Sequence, residues 1–347
     1  MSVTVRLLDE ASAPAWDRFV RASPEATFFH LSAWERVIRR VFGHPTFYAY
    51  AEQDGAIVGV LPLARMKTFL FGDVLSSTPF CVYGGTAAAT AEAAAALEAY
   101  ALERQQRLGS PVLEFRRIAR EDQGWAGRPP LYFTFRKPIV ITGDDEKDMA
   151  ANIPRKQRAE VRKGLKRGLV AVTNSDADVL HRVYAESVRN LGSPVFPRRY
   201  FRALLAAFPG EADVTTVLHE ERPVASVLSF HFRGEVLPYY GGGTWSARSL
   251  SASEVMYWEV MRRAGRERGA SAFDFGRSKA GTGAFDYKKN WGFAPEQLHY
   301  CYRLAPGASI PENNPNNPKY RLFIAAWKRL PVPLANLLGP PLVRGLG

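Results

Sequence analysis

Cysteine is nearly absent from this 347-residue chain. Cys81 and Cys301 are the only two, each inside an apolar or aromatic run, so neither a disulfide framework nor zinc-type spacing can be built. Both thiols are expected to be buried in a protein kept reduced. Long apolar runs are lacking too, since no stretch reaches the roughly 18 residues of a spanning helix. The start, MSVTVRLLDEAS, has no apolar leader core, so a cytoplasmic location is expected. HExxH, GxSxG and GxxxxGK[ST] are all missing and the six histidines are scattered. That argues against zinc hydrolase, nucleophile-elbow and P-loop chemistry, and no metal site is expected.

What is present fits a folded protein of two domains. The length exceeds what one core usually supports, and 46% hydrophobic with 12% aromatic residues excludes disorder. The formal charge of +12 is concentrated. Residues 154–168 carry seven cations against Glu160, and residues 319–347 carry five cations and no acid. Clusters of this kind point to an anionic partner: nucleic acid, a phosphorylated substrate or a membrane surface.

An internal repeat sets the fold expectation. Ile57–Leu63 recurs as Val224–Phe230, and Tyr83-Gly84-Gly85-Thr86 recurs over Tyr240–Thr244 with an added glycine. Helices ending at Gly109 and Gly269 then lead into strands Leu113-Glu114-Phe115 and Phe273-Asp274-Phe275. The order implies two copies of a mixed α/β module: a hairpin meander, a strand, a helix and a further strand. Before the first copy, a strand is expected over Val3–Leu8 and helices over Pro14–Arg21 and Ser32–Phe42, the latter with Ser32 and Glu35 as a capping box. A hairpin is expected from Thr46–Ala51 to Ala56–Arg65 around Gln53-Asp54-Gly55. A helix should run from Thr86 to Leu108.

The working edge is placed at Phe273–Gly292, FDFGRSKAGTGAFDYKKNWG. Period two puts Phe273 and Phe275 on one strand face and Asp274 on the other. Beyond the strand a glycine loop is expected, with Arg277, Lys279, Lys288 and Lys289 against Asp286: a seat for an anionic group. In the first copy the corresponding cations are Arg116, Arg117 and Arg120. Between the copies, Pro154 and Gly168 bound a basic helix. Arg155, Arg158, Arg162 and Lys166 form one stripe on it, with Val161 and Leu165 on another face.

These residues resemble the Fem-type aminoacyl and acyl transferases, which have tandem GNAT-like domains. They are most similar to the FemAB-like proteins associated with exosortase and PEP-CTERM systems. The likeness rests on Ile153–Leu169, on Leu237-Pro238-Tyr239-Tyr240-Gly241-Gly242 and on Phe273–Phe293. It implies a first GNAT-like domain over 1–150, a second over 151–310 carrying the active site, and a terminal helix and tail over 311–347. It also implies transfer of an activated acyl group to an amine of a cell-envelope, peptidoglycan or exopolysaccharide precursor. The donor would be an aminoacyl-tRNA, or alternatively an acyl-CoA, with no permanently bound cofactor. A non-catalytic module holding an anionic polymer is the other reading.

The family lysine of a Phe-Lys-Lys motif matches Lys288, and a family tyrosine matches Tyr240. The early family lysine falls on Ile38, and an arginine before a Tyr-Phe pair falls on Phe196, departures among the contacts that hold a muramyl-pentapeptide precursor in classical Fem enzymes. Chemically, Lys288 would stabilise an oxyanion, while Asp274 or Asp286 would take a proton or orient a lysine. Tyr239, Tyr240, Arg277, Ser278, Lys279, Lys289, Arg158, Arg162 and Lys166 would bind substrates. Lys288→Ala is expected to abolish transfer with little loss of stability. At the C-terminus a loop over Asn313–Pro318 should precede a helix, Lys319–Leu330, that presents Phe323, Trp327 and Leu330 on one face. A proline-broken apolar tail, Pro331–Val343, should follow. Helix and tail are expected either to rest peripherally on the inner membrane surface, removable without loss of the fold, or to cover a groove of the second module.

Overall fold

A computed structural model describes residues 2–117, 124–127, 129–311 and 318–346, with side chains of 318–320 excepted. Arg120 and most of the Asn313–Pro318 loop lie outside the described residues.

The chain forms two compact units: Met1–Leu131 with Gln297–Asn314 and Arg344–Gly347, and Tyr132–Glu296 with Pro315–Val343. In the first unit, β1 (Thr4–Leu7) is followed by α1 (Ala13–Ala22) and α2 (Ala33–Val37), and the latter widens into a π turn over Ile38–Phe42. The expected capping box is not formed. Ser32 Oγ donates to Asp17 at 3.0 Å, and Glu35 accepts from Thr46. The hairpin β2 (Ala49–Gln53) to β3 (Ala56–Leu61) turns where Asp54 and Gly55 both have positive φ, as a type I′ turn requires.

The expected single strand Ala56–Arg65 breaks at Pro62, which has no N–H for a ladder. Beyond it β4 (Leu63–Thr68) pairs with β5 (Gly72–Ser77) in a different sheet. After β6 (Ala87–Ala88), helix α3 (Ala91–Leu108) starts at a Thr90 cap, later than Thr86, and ends on left-handed Gly109. β7 (Val112–Arg117) and β8 (Ala126–Gly127) follow. The returning segment His299–Leu304 pairs with both and completes the second sheet. Arg116 and Arg117 are buried here, paired with Glu114 and Glu98. Burial raises the Glu114 carboxyl, but Arg116 and Ser76 outweigh it and leave the pKa lowered.

In the second unit β9 (Tyr132–Thr134) and β10 (Arg136–Pro138) lead to α4 (Asp145–Asn152), α5 (Arg155–Lys166), β11 (Val170–Asn174), α6 (Ala177–Leu191) and α7 (Arg198–Ala207). Then come β12 (Ala212–His219), β13 (Arg222–Phe232), β14 (Glu235–Gly243), α8 (Ala247–Leu250), α9 (Ala252–Arg268), β15 (Ala272–Asp274), β16 (Ser278–Lys279) and α10 (Gly283–Asn290). The six-stranded sheet runs β10-β15-β14-β13-β12-β11. Its core gathers Val217, Val227 and Val236 of the strands with Met256, Val260 and Met261 of α9. The division falls at Leu131/Tyr132, not at residue 150, because β9 and β10 pair with β16 and β15.

The pairing pattern repeats between units: β5 is antiparallel to β4 and parallel to β7, as β14 is to β13 and β15. Pro62 of the first copy corresponds to Ser229, where the β13–β14 register slips between Leu228 and Ser229. A break in one copy is a bulge in the other. β17 (Glu296–Gln297) spans the division, and the returning segment is β18 (His299–Leu304).

The chain ends in α11 (Pro318–Trp327) and α12 (Val332–Val343). The tail is therefore helical despite Pro340 and Pro341. Its Ala335, Gly339 and Val343 are buried, and Gly339 lies so close to Val195 that a Cβ there would meet its backbone N at 2.9 Å. Truncation at 319 would strip this packing, contrary to the expectation of a dispensable tail.

Candidate functional site

Phe273 and Phe275 enter the core as their period requires, with rings 5.3 Å apart. Asp274 is also wholly buried, 0% exposed, so the strand's other face is not open to solvent. Its Oδ1 accepts from Gly276 N at 2.7 Å and from Thr134 Oγ1 at 3.4 Å, while Arg136 Nε stands 3.6 Å from Oδ2. Arg136 is shared with Glu235, to which it donates at 2.6 and 2.9 Å. Burial, and then the nearby Asp274 charge, raise the Glu235 carboxyl. Asp274 thus shapes the left-handed turn at Gly276 and is already engaged, which suits a positioning residue better than a proton acceptor.

The expected glycine loop is shorter than the sequence suggested. Ser278 and Lys279 pair with Phe133 and Tyr132 of β9, and Thr282 caps α10 by accepting from Phe285 N at 3.3 Å. Lys288, Lys289 and Asp286 therefore lie on a helix. Lys288 is 9% exposed, held 5.4 Å from the Phe135 ring and 5.6 Å from the Phe275 ring. Its Nζ donates to Gly276 O at 2.9 Å and Arg277 O at 3.0 Å. Burial pushes the ammonium down to about 7, with Asp274 opposing and Arg277 reinforcing. The picture of a lysine in a polar loop with little apolar packing is thereby corrected.

Around it, Arg277 lies over the Tyr132 ring at 4.7 Å, Lys279 over the same ring at 5.5 Å, and Lys289 over Phe285 at 5.8 Å. Asp286 is exposed and two residues from Lys288, hence on a different face of α10. Tyr239 and Tyr240 belong elsewhere: the Tyr240 hydroxyl is 2.8 Å from that of Tyr200, among Tyr184, Phe196 and Phe201, and Tyr239 packs on Phe230.

On α5, Gln157, Val161 and Gly164 form the buried face and Leu165 is 46% exposed, so Val161 and Leu165 do not share an inward side. Arg162 is ion-paired with Glu146 of α4, and Arg158 lies in the field of the same carboxylate. Lys166 is exposed. The stripe is thus partly neutralised from within.

Sequence reasoning missed Lys137. Its Nζ donates to Asn152 O and, at 3.3 Å, to Trp291 O, and lies 4.4 Å over Phe293, clipping the entry of α5 to the exit of α10. Burial lowers this lysine to about 8. No local pattern flags it, because its partners come from 15 and 154 positions away. His231 of β13 lies 3.0 Å from Asp213 of β12. Among the described residues no group of three or more His, Cys, Asp and Glu is placed to hold a metal ion.

Residues 149–289, which contain α5, the β12–β15 strands and Lys288, match the family model for an acetyltransferase (GNAT) domain. The solved structure of FemX superposes with a TM-score of 0.69 at 16% identity, covering 93% of this chain and all of that one. The chain has a tandem GNAT fold. A tandem GNAT protein from the clavulanic acid biosynthesis pathway matches with a TM-score of 0.55 at 13% identity, over 89% of this chain and 100% of that one. So does the C-terminal domain of a putative lysylphosphatidylglycerol synthetase from Agrobacterium fabrum, with a TM-score of 0.55 at 12% identity, over 85% and 93%. Comparison with curated proteins finds no match. In GNAT terms, Lys288 and its cationic surround sit beyond the strand that follows α9, within the matched domain.

Proposed function

We propose that this tandem GNAT protein is an acyltransferase, of aminoacyl type, that forms an amide on an amine of a cell-envelope, peptidoglycan or exopolysaccharide precursor. The reading places the reaction on the cytoplasmic side and uses an activated acyl donor, aminoacyl-tRNA, without a resident cofactor. The observation that carries it is Lys288, a lysine buried inside a GNAT domain with two of its N–H groups on backbone carbonyls.

An ammonium has three N–H donors. In the charged form the third remains for an oxyanion. The substrate amine attacks the acyl carbonyl, the carbonyl oxygen gains charge, and the C–O bond to the tRNA ribose breaks as the amine proton passes to the leaving oxygen. Stabilising that oxygen in a water-poor site is worth about 3–4 kcal/mol, or a hundred- to a thousandfold in rate. Arg277, Lys279 and Lys289 supply cations for donor phosphates.

Structural likeness to FemX supports the aminoacyl reading, and likeness to the clavulanic acid pathway protein, a structure solved without AcCoA, supports a second one, acyl-CoA as donor. A panel of charged tRNAs and acyl-CoA thioesters, assayed with Lys288→Met alongside, separates them. Use of neither donor, or full activity in the variant, refutes the proposal. If a tRNA is the donor, neutralising Arg158, Arg162 and Lys166 together weakens its binding and flattens the salt dependence. An unchanged salt slope would leave that stripe facing only solvent.

A further inference from the structure

We propose that the outward face of α11 and α12 is an interfacial surface that seats on a lipid bilayer carrying anionic headgroups. α12 lies against α6, and α11 meets the end of α6 at its cap residue, Gly192. Ile324 sits at Gly192, where a Cβ would come 2.5 Å from its Cγ2, and Trp327 is buried. Inward residues of α12 are Ala335, Gly339 and Val343, four apart. Outward residues are Leu334, Leu337, Leu338 and Pro341, with Leu337 72% exposed; on α11 Leu322 is 85% exposed. A helix docked on a core normally turns polar side chains to water. Here the water-facing positions of α12 are leucines and prolines, more than the scattered apolar exposure of an ordinary surface.

Charge decides the occupant. Arg321, Lys328 and Arg329 are exposed on or just after α11, and residues 319–347 contain no acid. A second copy meeting this face by two-fold symmetry would set cations against cations. Anionic headgroups instead neutralise them while the leucines enter the acyl boundary, as in interfacial helices. No helix among the described residues is long and apolar enough to cross a membrane, so the contact is peripheral. The proposal does not depend on the identity of the acyl donor.

The test is co-sedimentation of the full chain with phosphatidylcholine vesicles, with or without about a third phosphatidylglycerol, at low and high salt. The expected result is binding to the anionic vesicles at low salt, weakened by salt. Leu322→Glu/Leu337→Glu/Leu338→Glu should lower it about tenfold or more with an unchanged melting temperature, since the replaced side chains are exposed. Arg321→Gln/Lys328→Gln/Arg329→Gln should flatten the salt dependence. Absence of binding to anionic vesicles, or full binding by the leucine variant, overturns the proposal. So does sedimentation velocity showing that the leucine variant splits a dimer that ignores vesicles, which would make the face a contact between copies.

Discussion

Lys288 places a titration in the physiological range where a surface lysine would have none. Its native pKa of about 7 lies below the ordinary 10.5 because burial disfavours the charged form. Below about 7 native and unfolded chains both hold the proton, and the native state carries the whole cost of burying it. Between there and 10.5 the unfolded chain binds a proton that the native state has released, so stability rises with pH across that window. Relative to Lys288→Met, which keeps the stem between Phe135 and Phe275, the wild type should gain about 1 kcal/mol per pH unit from pH 7.5 to 9. Denaturant titrations of both proteins read this directly, and parallel pH dependences would show that the ammonium is not held as described. In catalysis the sign reverses. The proposed oxyanion role needs the charged form, so the Lys288-dependent rate should fall above about 7, and that descending limb should be missing from residual activity in the methionine variant.

At the scale of elements, α5 meets α9 through Gly164, where a Cβ would lie 2.6 Å from Val255 Cγ2 and 3.2 Å from Ser251 O. Gly164→Ala should therefore destabilise the second unit by about 1–3 kcal/mol despite the better helix propensity of alanine. Gly283→Ala, at a helix start with open space around it, should be neutral or slightly stabilising. Equal melting temperatures for the two variants would contradict the close packing. Elements were legible where the signal was local: Asp54-Gly55 for a turn, Gly109 and Gly269 for helix ends, Pro154 and Gly168 around α5. They were misread where partners are remote. Ser32 chose Asp17 over Glu35, Asp274 drew its partners from β9 and β10, and the loop before Lys288 became a strand and a helix through β9. Lys137 was invisible for the same reason.

For the whole molecule, the repeat was the most informative feature of the sequence, because a duplicated order of elements at similar spacing constrains topology more than any one propensity. It anticipated the pairing shared by the two units, although not the split of the first sheet at Pro62. The functional claim lies at the same scale: a tandem GNAT fold whose second unit transfers an acyl group to an amine. Its most direct test combines the purified protein, a pool of tRNAs charged with labelled amino acids, and an extract of envelope and saccharide precursors, followed by mild alkali. Ester-linked label is released by alkali and amide-linked label is retained. The account predicts alkali-resistant label on a small precursor, reduced at least about a hundredfold with Lys288→Met. Label that stays wholly alkali-labile, with acyl-CoA donors giving no amide either, would contradict it.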